Sequence, residues 1–246
     1  MKDRKLLLLL ALIVAFSASR VQAQTATTTL VTDPESGLEY LDDGDGKLYI
    51  YVGSGPISVD GSTQINGTNS NAYFVSDGGL RQNWRDGLAI GGETGDKKGE
   101  GKWYKTALDA VTSITIGNNY PATYKGVEYF RNLETLEIPG PGNNQNGLTL
   151  DLSKNTKLTS LTFKSTAPKL YSLNVSNTQL TSITIPSNAT TYPLIKLTYL
   201  NISNTPLTSI TIPSNATLSY LDISNTQLTN ITIPSGGGKF SYNLQM

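Results

Sequence analysis

The chain has 246 residues with 19 basic and 19 acidic side chains, and it contains neither cysteine nor histidine. The missing histidine excludes Ser-His-Asp and Cys-His catalysis and the usual zinc sites, and the missing cysteine leaves stability to burial and hydrogen bonding. Catalysis would have to rely on carboxylates, and 13 of the 18 Asp and Glu residues after residue 23 lie before residue 110. The sequence predicts no cofactor and no metal site.

The first 23 residues have the pattern of a secretory signal peptide. Three basic residues precede an apolar run over residues 6–16, and small and polar residues lead to a cleavage position near Ala23. The run is shorter than the roughly 20 residues of a membrane-spanning helix. We therefore expect export without membrane insertion, to a secreted, periplasmic or cell-surface location. Removal of residues 1–23 leaves 15 basic and 18 acidic residues, a net charge of −3, which does not favour nucleic acid as a partner.

Residues 24–105 are predicted to form a Gly-rich β cap region. They hold 15 of the 23 glycines and both tryptophans, and they contain no repeat. The stretch LEYLDDGDGKLYIYV predicts two strands joined by a tight polar turn, whose aspartates (Asp42, Asp43 and Asp45) lack the closing glutamate of a calcium loop. We expect Trp84 and Trp103 to cap the open end of a repeat array; stacking on a sugar is the alternative. Residues 56–102 suggest no role of their own.

Residues 106–235 contain six copies of one frame, which is plainest in SNTQLTSITIPSNAT and SNTPLTSITIPSNAT. The copies are spaced 22, 25, 22, 27 and 21 residues apart and begin at Val111, Leu133, Leu158, Leu180, Leu207 and Leu228. A second segment, such as Leu-Asn-Ile or Leu-Asp-Ile, recurs between them. Both alternate apolar and polar residues with the period of a strand, and coils of two short strands must stack to bury their apolar side. The sequence therefore predicts a mainly β fold: a parallel β-solenoid of about six coils with a small N-terminal β cap domain, and residues 236–246 as a C-terminal tail or cap.

The repeat resembles bacterial leucine-rich repeats. LTSITIP and LETLEIP are similar to the signature of BspA-like leucine-rich repeats, and LDLSKNTKLTSL and LTYLNISNTPL are similar to a related bacterial type with coils of about 21 residues. The resemblance covers residues 111–234. It implies a leucine-rich-repeat solenoid in a secreted or cell-surface protein used for adhesion or for binding host molecules. It brings no catalytic residues.

One corner of the coil departs from the leucine-rich pattern LxxLxLxxNxL. Asn155 holds the asparagine position, where the side chain ties adjacent coils together in such repeats. In the later coils the asparagine comes one residue early and a threonine occupies that position: Asn177 and Thr178, Asn204 and Thr205, Asn225 and Thr226. We expect a threonine ladder to replace the asparagine ladder at this corner.

The Leu-Asx-Ile strands provide the candidate binding face. Leu200 and Ile202 point inward, so Tyr199 and Asn201 point outward. Stacking predicts two columns on this face, with the candidate ligand-binding residues Asp151, Asn174, Tyr199, Asn201, Tyr220 and Asp222. In leucine-rich repeats this surface usually meets ligands, so the resemblance implies a non-catalytic module that recognises a protein or glycan partner. The alternative is that the two tyrosines merely stack and stabilise the sheet.

Two other functions remain open at this point. The rival class is a carbohydrate-active enzyme that uses N-terminal carboxylates; a pocket holding two close carboxylates would favour it. An ice-binding solenoid is the other alternative, because the second strand of each coil presents serine and threonine outward, although Glu137 interrupts that ladder. A six-residue insertion, TYPLIK at residues 191–196, is expected at a corner, since stacked strands cannot shift out of register.

Overall fold

The computed structural model describes residues 27–53, 57–60, 63–65, 68–74, 101–116, 124–138, 147–163, 170–185 and 197–233. The predicted signal peptide, Trp84, the insertion at residues 191–196 and the tail at residues 236–246 lie outside the described residues. Among the described residues, no helix is long and apolar enough to cross a membrane.

The N-terminal region forms a five-stranded sheet and a small hairpin. The sheet contains β1 (Thr29–Thr32), β2 (Glu39–Asp42), β3 (Tyr49–Val52), β6 (Tyr73–Phe74) and β7 (Gly101–Tyr104); the hairpin contains β4 (Ile57–Val59) and β5 (Thr63–Ile65). Neighbouring strands are antiparallel except β3 and β6, which are parallel. A short helix, α1 (Lys105–Asp109), leads from the last described strand of this region into the repeats.

The predicted polar turn joins β2 to β3. Oδ1 of Asp42 accepts hydrogen bonds from the backbone N of Gly44 (2.8 Å) and of Gly46 (3.1 Å). Both glycines have positive φ, at 86° and 75°, a conformation that is unfavourable for residues with a side chain. Asp43 forms an ion pair with Lys102 and accepts a hydrogen bond from the Tyr49 hydroxyl at 2.8 Å. These carboxylates hold the turn and join it to β7.

The repeats form a parallel β-solenoid, as predicted. Four strands make one continuous sheet, which we call the tyrosine sheet: β10 (Leu148–Asp151), β12 (Leu170–Asn174), β14 (Tyr199–Asn201) and β16 (Tyr220–Asp222). The opposite strands, which we call the threonine strands, form a group of three and a group of two: β8 (Ser113–Thr115), β9 (Thr135–Ile138) and β11 (Ser160–Phe163), then β13 (Ser182–Thr184) and β15 (Ser209–Thr211). A 3-10 turn, η1 (Val127–Tyr129), precedes β9.

The last of the six repeat frames differs from the others. Five frames contain a strand, whereas residues 228–233 are not a strand. Leu228, Ile231 and Ile233 nevertheless pack against the solenoid core as partly buried side chains. The frame thus retains its inward residues, but no strand pairs with β15 on its C-terminal side among the described residues.

One hydrophobic cluster joins the N-terminal region to the repeats. It runs from Leu38 and Trp103 through Leu136 and Leu173 to Leu221. Trp103 is fully buried in it, with 0% of its surface exposed. Trp103 therefore lies inside the core that joins the two regions and presents no face on which a sugar could stack.

The prediction of a threonine ladder between coils is wrong, because the threonine hydroxyls bond within their own coil. The hydroxyls of Thr178 and Thr205 are buried, but each donates to a carbonyl three residues earlier in its own coil, Val175 O at 2.7 Å and Ile202 O at 2.6 Å. Coils are tied together here by backbone bonds, such as Asn177 N to Ser203 O at 3.0 Å. Threonine reaches the carbonyl of its own coil because its side chain is shorter than that of asparagine.

The backbone conformation explains why asparagine comes one residue early in the later coils. Asn177, Asn204 and Asn225 have positive φ of 61°, 54° and 54°. Asparagine tolerates this left-handed conformation far better than most residues that carry a side chain. The one-residue shift of asparagine therefore marks a left-handed corner that puts the following threonine inside.

Replacing Asn204 by alanine is expected to lower the free energy of unfolding by about 1 kcal/mol, because alanine is strained at positive φ. Replacing Asn204 by glycine should lower the free energy of unfolding by only a few tenths of a kcal/mol. Urea unfolding of both variants, followed by circular dichroism, checks the difference. Equal losses for alanine and glycine would mean that the Asn204 side chain, which accepts a hydrogen bond from Asn225, matters more than its backbone conformation.

Candidate ligand-binding face

The tyrosine sheet brings the predicted site residues together in two columns. Parallel register pairs Tyr199 with Tyr220 and Ser172 with Tyr199 in the first column. In the second column it aligns Asp151, Asn174, Asn201 and Asp222 on four successive strands. The leucines between them are buried, so both columns lie on the outer face.

The two tyrosines stack on each other. Their ring centroids are 4.4 Å apart and their planes differ by 5°. Burial first, and then the charge of Asp222, raise the pKa of Tyr220 above its ordinary value. One face of each ring is therefore used inside the protein, and a ligand can meet only the opposite faces and the edges.

The second column is held rigid by turns. In each member, Oδ1 accepts a hydrogen bond from the backbone N of the serine two positions later, at 2.9–3.2 Å: Asp151 with Ser153, Asn174 with Ser176, Asn201 with Ser203, Asp222 with Ser224. No described residue accepts a hydrogen bond from Nδ2 of Asn174 or Asn201. The turns occupy Oδ1 of each member, and Oδ2 of Asp222 accepts a hydrogen bond from the Tyr220 hydroxyl at 3.5 Å. The amide nitrogens of Asn174 and Asn201 and Oδ2 of Asp151 remain as groups for a ligand.

A bulge in β12 adds an aromatic residue that the sequence reasoning missed. Leu170 pairs with Leu148 and Ser172 pairs with Thr149, so Tyr171 is an extra residue. Its side chain is 49% exposed. Its carbonyl accepts hydrogen bonds from Thr198 N (2.9 Å) and Thr198 Oγ1 (3.3 Å), which fix the bulge to β14. Bulges commonly change the direction in which a side chain points.

A groove of about 350 Å³ lies at the N-terminal end of the same face. Leu38 and Asn71 of the N-terminal region form part of its wall; Lys125, Glu128, Asp151 and Lys154 are its charged residues. Burial raises the pKa of Glu128; backbone N–H groups and Lys125 oppose this shift, and Asp151 adds slightly to it. Oε2 of Glu128 accepts a hydrogen bond from Gly126 N at 2.7 Å.

Charge is distributed unevenly along the solenoid. The described residues from 158 to 233 carry a single charged side chain, Asp222. The groove has two lysines and two carboxylates, so its charges balance. Among the described residues, no group of acidic side chains has the arrangement of a metal site.

The threonine strands present a second polar surface. Ser182, Thr184, Ser209 and Thr211 are exposed, and parallel register aligns them in pairs. Glu137 stands in this ladder in register with Thr162, as the sequence indicates. The strands also divide into separate groups between β11 and β13, so the hydroxyl surface is not one continuous sheet.

No family model matches this chain. No curated protein matches it. Among solved structures, the chain is similar to two Listeria monocytogenes proteins. The internalin InlF is 19% identical, with a TM-score of 0.27, over 68% of this chain and 56% of that one. The functional domain of InlJ, which includes a cysteine ladder, is 19% identical, with a TM-score of 0.19, over 55% of this chain and 44% of that one. The chain thus spans about half the length of the internalins it matches.

Proposed function

We propose that the protein is an exported, non-enzymatic binding module that contacts a protein or glycan partner at a cell surface through its tyrosine sheet. The observation that carries this proposal is the register of the sheet, which aligns rigid aromatic and amide groups on one outer face. Tyrosine offers amphipathic contact area at a small entropic cost, and turn-held amides add directed hydrogen bonds. The predicted signal peptide and the resemblance to bacterial adhesive repeats support the surface location.

The groove bears on the enzyme alternative because it contains two carboxylates. Both belong to the repeats, however, and not to the N-terminal third in which most carboxylates lie. The Glu128 carboxylate accepts a hydrogen bond from Gly126 N, and Gly126 has a φ of 99°. Glu128 therefore stabilises a left-handed turn, and Asp151 is held by Ser153 N. These contacts favour a structural role for both groups over proton transfer.

Replacing Tyr199 and Tyr220 together by serine should weaken ligand binding about tenfold or more, because rigid aromatic anchors dominate interfaces. Loss of the stack should cost only about 0.2–1 kcal/mol of stability. Biolayer interferometry on an array of immobilised host-surface proteins and glycans measures the first effect, and thermal melting measures the second.

The matched control replaces Thr184 and Thr211 by serine. These residues are paired at the same spacing on the threonine strands. This variant should bind like the parent protein. Unchanged affinity of the tyrosine double variant for every bound partner would remove the tyrosine sheet as the binding face.

A further inference from the structure

We infer that the tyrosine sheet carries a trough for a neutral oligosaccharide, which starts at the free face of Tyr199 and crosses Ser172 and Thr149 to the groove beside Asp151. We call it the Ser172 trough. This inference rests on the proposed binding role of the sheet and names the chemistry of the ligand.

The end wall of the trough is the ring of Tyr199. Tyr220 covers one face of that ring, and it is the ring partner of Tyr199 among the described residues. On the other side the register places Ser172, about 4.8 Å away on β12. A serine side chain is too short to cover a phenol ring. The Tyr199 face toward β12 is thus available to a flat ligand that lies on the sheet.

The floor of the trough supplies hydrogen-bonding groups next to this aromatic face. Ser172 and Thr149 are adjacent in register and provide hydroxyls, and Asn174 lies beside them in the second column with its Nδ2 unused by described residues. Asp151, the neighbour of Asn174, has one oxygen held by Ser153 N. A sugar ring has a C–H face, which suits the negative face of an aromatic ring, and a rim of hydroxyls, which suits amides and hydroxyls.

The bulge at Tyr171 borders the trough on β12. Tyr171 directly precedes Ser172, and about half of its surface is exposed. The two hydrogen bonds from Thr198 to its carbonyl fix the backbone. The trough is therefore bordered by a second aromatic residue on a rigid segment, which is what a preorganised sugar site needs.

Charge selects a neutral ligand. The groove at one end has two lysines and two carboxylates, and the described residues beyond Thr149 as far as Tyr220 include Asp151, Lys154 and Lys157 as their charged side chains. Neither sign dominates in the groove, so an acidic or basic ligand gains little net attraction there. A peptide that adds a strand requires an open sheet edge. The trough instead crosses the face of the sheet, where β12 and β14 are already paired on both sides.

The decisive variant is Ser172→Tyr in the chain from residue 24 onward. It continues the stacked tyrosine column by one position and fills the trough without removing any hydrogen-bonded group. Isothermal titration with cellotriose, maltotriose, mannotriose and chitotriose should detect binding of at least one by the parent protein. The Ser172→Tyr variant should lose about tenfold or more of that affinity, while its melting temperature stays the same or rises.

Two further variants serve as a control for the position of the added side chain and as a second way of blocking the trough. Ser182→Tyr places the same side chain on an exposed threonine strand and should leave binding unchanged. Thr149→Tyr blocks the next position of the floor and should weaken binding even if Ser172→Tyr fails to fold. Circular dichroism of each variant reports folding independently of binding.

Three results would overturn the trough. Full affinity of folded Ser172→Tyr and Thr149→Tyr variants would place the sugar elsewhere. Tighter binding of 3′-sialyllactose than of every neutral trisaccharide would contradict the charge argument. Binding of a protein from the array, lost in the tyrosine double variant, with no binding of any trisaccharide, would reject the sugar while leaving the proposed function intact.

Discussion

Replacing Trp103 by alanine is expected to destabilise the protein by about 3–5 kcal/mol, as for other large buried aromatic residues. Trp103 is fully buried in the cluster that joins the N-terminal sheet to the first coils. Its backbone pairs with Ile50 on β3, so the surrounding sheet cannot collapse freely into the cavity. The loss should appear as a lower urea midpoint, measured by far-ultraviolet circular dichroism.

The control for this prediction is Leu30→Ala on β1. Leu30 is 39% exposed, and its replacement should change stability by no more than about 0.5 kcal/mol. If Trp103→Ala also cost less than about 1 kcal/mol, the junction would not contribute the packing that its burial indicates. The repeats would then fold largely without the N-terminal sheet.

Replacing Asn155 by alanine is expected to cost about 2 kcal/mol, because it removes two buried hydrogen bonds between coils, each worth about 0.5–1.5 kcal/mol. Both carbonyls keep a backbone donor, since Val127 O also accepts a hydrogen bond from Phe130 N and Phe130 O accepts one from Leu133 N, both at 3.1 Å. Asn155 is fully buried, and its Nδ2 donates to Val127 O (2.8 Å) and Phe130 O (3.0 Å) of the preceding coil. Chemical denaturation of the variant, compared with that of the parent protein, measures the loss.

Asn132→Ala is the matched control. Asn132 also donates its amide to a backbone carbonyl distant in sequence, Asp109 O at the end of α1, at 2.7 Å, but it is only partly buried. Water can replace its hydrogen bond, so the variant should lose about 1 kcal/mol or less. Similar losses for both variants would show that burial is not what makes the Asn155 contact strong.

The coil architecture could be predicted because its determinants are local and repeated. Alternation of Leu or Ile with polar residues defines the inward side of each strand, and the recurrence of the same frame aligns that side from coil to coil. Both columns of the candidate site follow from this alternation alone. The register of Tyr199 with Tyr220 therefore agrees with the prediction from their spacing.

The remaining features depend on contacts between distant residues or on small irregularities of the backbone. The groove could not be predicted, because Leu38, Glu128 and Asp151 come from separate parts of the chain. The bulge had a signal, since Leu170 and Leu173 are three residues apart whereas Leu148 and Leu150 are two apart. No feature of the sequence indicated the hydrogen-bond partners of the buried threonines, because a buried hydroxyl can bond within its own coil or to the next one.

The direction of the hydrogen bonds between coils determines how the solenoid responds to mechanical load. Bonds such as Val175 N to Asn201 O and Ile202 N to Asp222 O, both 2.9 Å, run along the solenoid axis. Tension applied to its two ends therefore opens one boundary between coils at a time. The 22-residue coil that begins at Val111 and ends before Leu133 would extend to about 70–80 Å, in place of about 4.8 Å of folded length. Pulled under flow, the protein would lengthen in steps and dissipate force at each coil, while the unopened coils kept their surface intact.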